Sequence, residues 1–448
     1  MRNENYFSKC LMYIFIIVNF FLKFLISYLR IPYKTHYILD LLIVVLFIFD
    51  LKYIIKNFKF KKNLFFLIFF PILMFFIISV LSAIINKTPI LLFLWHLRNY
   101  YRYYIPFCSI IFFFNKSDIK KIINIGFYFL VIHCVLCIAQ YYTFPNNFFQ
   151  DSINGIFGNT KGYNTYSLFF LVLYYTYFTI EFIKDSKKYG WRYFTTIITC
   201  LLVAALSELK MFYVLSVLIV IGANIFLLPL KKHKELFITI FSTAFMVIIS
   251  IFLLNKFYSY ITDNPINYGK LDQYLNNISY GYEYKKFTEI KSGDETISIP
   301  TINRFSGFSI IKKYILTTPK AFLIGIGAGN AEYSQVSILT SEFYHKYFNI
   351  NYNMFTYSFI FVEMGILGLI VYWFQFFWYL CVFIYYYFNG NNKYDSFILL
   401  SIVLSCYCII AVIYDIGFRS EITYFTFMFL SLPFLLQLHD KEIGYNEK

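Results

Sequence analysis

Five residues in this sequence have the types and placement to do chemistry: Arg98, Arg102, Lys210, Arg304 and Glu363. Arg98 and Arg102 lie in LLFLWHLRNYYRYYIPF, four residues apart, so a helix places both on one face. Paired guanidinium groups suit a lipid-linked phosphate, and snorkelling toward headgroups is the structural alternative. Lys210 follows Ser207-Glu208-Leu209 in ALSELKMFYVLS, between two apolar runs. Glu208 and Lys210 cannot face each other along one helix. A tight helical hairpin tip, or a solvated turn, is expected there. Arg304 opens TINRFSGFSIIKKYILTTPKAFLIGIGAGN, an amphipathic stretch that ends in Gly325, Gly327, Gly329 and Asn330. Those glycines do not follow a strand and open a helix, so a dinucleotide loop is excluded and a sharp turn against a lipid or sugar site is expected. Glu363 is the one charged residue from Tyr347 to Asn392. A lone carboxylate in such a run needs a membrane edge or a cationic partner.

The rest of the chain must hold these groups. Hydrophobic residues make up 59% of the 448 and charged residues 14%, with a mean hydropathy of +0.61. A soluble domain carries about 25% charge, so this composition belongs in a bilayer. A span needs about 20 apolar residues, and about twelve such runs occur, near 11–29, 37–55, 64–86, 90–114, 122–142, 166–183, 193–207, 211–230, 236–256, 363–387, 394–414 and 420–438. The expectation is one all-α polytopic membrane domain over 1–448. Its loop at 257–362 is large, lies between the ninth and tenth spans, and is extracytoplasmic, as is a smaller loop at 143–165.

The net charge of +15 is carried by short lysine clusters between apolar runs, such as Lys59 to Lys62, Lys184 to Lys188 and Lys231 to Lys234. That is the positive-inside pattern. It puts both termini in the cytoplasm and leaves no nucleic-acid role. The N-terminal apolar run lacks a small-residue cleavage site and is expected to be retained. No Walker A sequence is present, which excludes ATP-driven transport by this chain. The eight cysteines fall in or beside apolar runs and indicate no disulfide framework. The six histidines show no ligand spacing, so neither a metal nor another cofactor is expected.

Taken in order, these pieces resemble the O-antigen ligase and O-antigen polymerase superfamily. The matching segments are the arginine-bearing run at Arg98, GIFGNTKGYN, SELK, Arg304 before an amphipathic helix, LIGIGAGN and FVEMGILGL. They cover residues 90 to 375. The resemblance implies a GT-C-type glycosyltransferase in a bacterial plasma membrane, acting on an undecaprenyl-diphosphate-linked oligosaccharide, with a chain-length regulator as a further partner. Its motif residues fall on Lys210, where relatives often have arginine, and on Arg304. Ligase-type members place a histidine and an asparagine shortly before the glutamate. Here that segment reads NINYNMF, with Asn353 and no histidine, which favours a polymerase over a ligase or a flippase.

The chemistry such an enzyme needs matches the residue types. A sugar hydroxyl attacks the anomeric carbon, and negative charge grows on the departing diphosphate. Without a metal, Arg98, Arg102, Lys210 and Arg304 would stabilise that charge. Glu363 would then serve as base for the hydroxyl or as a salt-bridge partner of one of the cations.

Overall fold

The computed structural model describes residues 2–57, 61–143, 152–160, 162–262, 287–292, 295–390 and 394–438. The expected loops at 143–165 and 257–362 fall partly outside these residues. The described chain is mostly helical. Its helices are α1 (Arg2–Tyr28), α2 (Tyr37–Asn57), α3 (Lys62–Ile85), α4 (Ile90–Tyr101), α5 (Tyr104–Phe113), α6 (Lys116–Thr143), α7 (Asn164–Lys184), α8 (Ser186–Leu206), α9 (Lys210–Leu227) and α10 (His233–Thr262). In the large loop come α11 (Gly307–Tyr314), α12 (Pro319–Ile324) and α13 (Glu342–Tyr347). The chain then runs through α14 (Thr356–Asn389), α15 (Ser396–Tyr414) and α16 (Ile422–Leu438).

Eight of these helices, α1, α3, α6, α7, α8, α9, α14 and α15, are long and apolar enough to cross a membrane. This is a polytopic arrangement, and twelve spans were expected. For two of the expected spans the difference has a local cause. Helix α2 carries Asp40, Asp50, Lys52 and Lys56 within its 21 residues. The expected span 90–114 is two helices, interrupted at Arg102 and Tyr103. The mostly helical chain also carries one small hairpin. Strand β1 (Phe287–Ser292) pairs antiparallel with β2 (Glu295–Pro300), from Phe287 opposite Pro300 to Ser292 opposite Glu295. FTEIKS and ETISIP mix β-branched with charged and small residues, which suits a small solvated hairpin.

Helix α7 forms the centre of the bundle, with 94% of its most apolar window buried. Its sequence, apolar and aromatic on every side, is what full burial demands. Ionic contacts gather at the two ends of the bundle. At the lysine-rich end, Lys9 meets Asp118 at 2.6 Å, Lys116 pairs with Asp395, and Lys184 Nζ donates to the Tyr394 carbonyl at 2.8 Å. Lys23, Asp40, Arg98, Arg102, Glu332, Arg419 and Glu421 make their ion pairs at the other end.

Helix α14 is broken at Gly365, whose φ of 64° and ψ of −163° lie outside any helix. A break frees carbonyls that nothing in a bilayer would satisfy. Here the glycine-rich turn after α12 supplies the donors. Ile326 N–H donates to the Val362 carbonyl and Gly327 N–H to the Glu363 carbonyl, each at 3.0 Å. Ser82 Oγ adds a bond to the Glu363 carbonyl at 3.0 Å. The backbones approach so closely that glycine is required on both sides. A Cβ on Gly325 would sit 2.2 Å from the Glu363 carbonyl oxygen, and one on Gly365 would sit 2.4 Å from the Leu323 carbonyl carbon.

Gly365→Ala should therefore lower the thermal midpoint of the detergent-purified protein by several degrees, from left-handed strain of about 1–2 kcal/mol plus the backbone clash. Gly222→Ala, in α9 with nothing within 4 Å of its Cβ, should leave the midpoint unchanged or raise it slightly. A melting comparison of the two variants checks this.

Candidate functional site

The break in α14 fixes Glu363, whose side chain is fully buried. Its Oε1 accepts the N–H groups of Gly329 at 3.0 Å and Ala331 at 3.2 Å. Its Oε2 lies 2.7 Å from His96 Nδ1 on α4. His96 Nε2 is 3.3 Å from Ser79 Oγ on α3. The partner of the isolated carboxylate is thus a histidine and two backbone amides, where a clamp cation was one of the expectations. Sequence spacing could not show this, because residues 96 and 363 meet only through the tertiary fold.

A second carboxylate stands beside it. Glu332 is fully buried, and its Oε2 accepts Asn99 Nδ2 at 2.9 Å and the Arg419 guanidinium. Its other oxygen is buried without a hydrogen bond among the described residues. Arg419 itself lies 3.3 Å from the centroid of the Phe359 ring. Burial pushes the Glu332 carboxyl up to about 7, against the opposing pull of Arg419. Burial works against charge on Arg419, yet its pairing with Glu332 raises its pKa above the ordinary value.

The network continues toward α1 and α2. Arg98 Nη1 donates to Asn99 Oδ1 at 2.8 Å, while Arg98 and Arg102 both contact Asp40, Arg102 at 3.3 Å. The structure brings this expected arginine pair together on a carboxylate that the expectation did not include. Arg98 lies over Trp95 at 4.4 Å and Tyr37 at 5.6 Å. Arg102 Nη2 donates to Tyr103 OH at 3.0 Å, and its Nε is buried without a partner among the described residues. Lys23, buried on α1, meets Glu421 at 3.0 Å and faces the rings of Tyr163, Tyr166 and Tyr33 at 4.7, 5.6 and 5.4 Å. Tyr166 OH donates to Glu421 at 2.7 Å. Burial alone would raise the Glu421 carboxyl, but Lys23 and Arg102 hold it well below the usual range.

Among the other expected residues, Arg304 stacks on Tyr414 at 4.5 Å and its Nε donates to the Tyr414 carbonyl at 3.3 Å. It also acts on Asp415, which burial pushes up to about 6 and which Gly417 N–H and Arg304 pull the other way. Lys210 opens α9 after a tight turn in which Glu208 has φ 51°. Arg98 and Arg102 thus meet on one carboxylate, whereas Arg304 sits at the C-terminal end of α15. Gly325, Gly327 and Gly329 all have positive φ, and Asn330 Nδ2 donates to the Ile326 carbonyl at 2.7 Å. Asn353 lies in a short turn, Tyr352–Met354, with its Oδ1 buried and unpartnered among the described residues. Lys23, Asp40, His96, Glu332, Arg419 and Glu421 were not expected. Asp40 and Lys23 did interrupt apolar runs, which was the one signal available for them.

His96, Glu332 and Glu363 offer ligand atoms within 4.8 Å of one another. The donor chemistry fits a metal poorly. Glu363 Oε2 is already in hydrogen-bond contact with His96, and Arg419 sits on Glu332. Two carboxylates and one guanidinium need a single further positive charge, which a proton supplies and a divalent ion exceeds. Compared with models of known protein families and with characterised proteins, the sequence matches none.

Because the folded pKa of Glu332 is raised, its contribution favours the folded state below pH 4.5 and is lost as pH rises through about 7. Glu332→Gln should therefore lose relative stability at the acid end and gain it toward pH 7. Melting curves of both proteins across that window should show the difference changing with pH, and a constant offset would count against the assignment.

Proposed function

We propose that this chain is a polymerase that joins undecaprenyl-diphosphate-linked oligosaccharide repeat units at the outer face of a bacterial plasma membrane. The reaction is a metal-independent glycosyl transfer of the GT-C type, and both termini are cytoplasmic. The observation that carries this reading is the placement of Arg98 and Arg102. Their stems line an apolar cavity of about 340 Å³ with Phe47, Phe69 and Tyr104, and their guanidinium groups meet Asp40 at the end away from the lysine clusters. A phosphate-bearing lipid has the matching form, with an anion for the guanidinium groups and a chain for the cavity.

The departing diphosphate would take over hydrogen bonds that Asp40 now receives, and the charge growing on it would strengthen them. Arg304 and Lys210 are the remaining cations of the proposed clamp. Glu363 has both oxygens committed to His96 and to the turn at Gly329 and Ala331. In this reading it is a positioning residue that holds the turn, and a base role would require those bonds to open.

Deletion of the protein should leave cells with single repeats on lipid or acceptor at the outer face, and no long chains. Arg304→Ala, expressed at normal level in the membrane, should reproduce that state. Lys210→Arg should retain more polymer than Lys210→Ala. Gel analysis of the glycan checks all three. Long chains on undecaprenyl diphosphate would indicate a ligase, and repeats trapped on the inner leaflet, protected from added glycosidase, a flippase.

A further inference from the structure

A second cavity, of about 710 Å³, lies where α4 begins. It is lined by Pro89 to Leu92 at the start of α4 and by Ile326, Asn330, Ile338 and Thr340 to Phe343 from the large loop. Its size is that of a ligand site. Leu91 precedes Arg98 by seven residues, so the cavity lies about 10 Å further along the α4 axis, on the side away from the lysine-rich end. Sugars attached to a diphosphate held at Arg98 would extend in that direction.

The lining selects the class of ligand. Among the described residues it contains no lysine or arginine, and Glu342 is exposed, so it disfavours a second phosphate. The polar groups present offer acceptors. Asn330 donates one of its two amide N–H groups to the Ile326 carbonyl, and its Oδ1 stays able to accept. Ser341 Oγ caps α13 by accepting from Tyr344 N–H at 3.1 Å. The Glu342 carboxylate makes no ion pair among the described residues. Ile90, Leu91 and Ile338 are exposed and give an apolar wall. Acceptors facing apolar surface match a ring that carries hydroxyl donors on its edge and C–H groups on its face.

From this we infer that the cavity binds the saccharide of the lipid-linked substrate, with Glu342 and Asn330 accepting hydrogen bonds from its hydroxyls. The inference rests on the polymerase reading and names where that substrate's glycan lies. Glu342 is then a specificity-determining residue on the outer loop, distinct from the buried Glu363.

The test uses the full-length protein in lipid nanodiscs and the free repeat oligosaccharide, released by mild acid from the cells' lipid-linked pool. Calorimetric titration should show saturable binding to the wild type. Glu342→Ala and the cavity-filling Ile338→Trp should each weaken it about tenfold or more, and Glu342→Gln should weaken it less. Glycerol phosphate should not compete. Absence of wild-type binding, equal binding by the variants, or displacement by glycerol phosphate overturns the site. Each of those results leaves the polymerase reading to its own test in the deletion strain.

Discussion

The constraint on which the rest of the structure depends is the exchange of backbone hydrogen bonds between the broken helix α14 and the turn at residues 325–331. Gly365 interrupts α14 inside an apolar environment, where an unpaired carbonyl costs several kcal/mol. Ile326 and Gly327 satisfy the freed carbonyls, and Glu363, two residues before the break, accepts two more amides from the same turn. This exchange ties the large loop to the bundle, together with the contacts of Asn99 and Arg419 on Glu332. It also sets Glu332 beside Glu363, which His96 of α4 meets at 2.7 Å. The same turn is seated on α4, where Gly329 packs directly against the Leu92 backbone.

The second organising feature is charge balance. Lys23 faces Glu421, Arg98 and Arg102 face Asp40, and Arg419 faces Glu332, while Glu363 contacts His96. Buried ions of one sign would be prohibitive, and the pairs reduce that cost without making it favourable by itself. In the proposed reading, an arriving anion would take the place of Asp40 on guanidinium groups already held in position, so little further ordering would be needed. Arg98 is the accessible member, with 21% of its side chain exposed, whereas Arg102 is almost fully covered.

The sequence made the membrane class, the helical architecture, the Arg98–Arg102 face and the sharp glycine turn readable. Each rests on local spacing or composition. The pairing of Glu363 with His96 joins residues 267 positions apart, and Lys23 with Glu421 nearly 400 apart, so no local pattern contained them. The interruption of the fourth apolar run at Arg102 falls in RNYYRYY, whose arginines were read as one face of a continuous helix and not as a break. The β-hairpin was missed because its polar residues look like loop in a chain otherwise read for long apolar periods. Gly365 was visible in FVEMGILGL, yet a single glycine in an apolar run does not announce a helix break.

The account stands or falls on glycosyl transfer by this chain itself. The direct measurement is reconstitution of the purified protein in liposomes with undecaprenyl-diphosphate-linked repeat units, in the presence of a chelator. Elongated chains on the lipid, with free undecaprenyl diphosphate released in proportion to the bonds formed, are the predicted result. Repeat units that remain single, or that change leaflet without elongation, would contradict it.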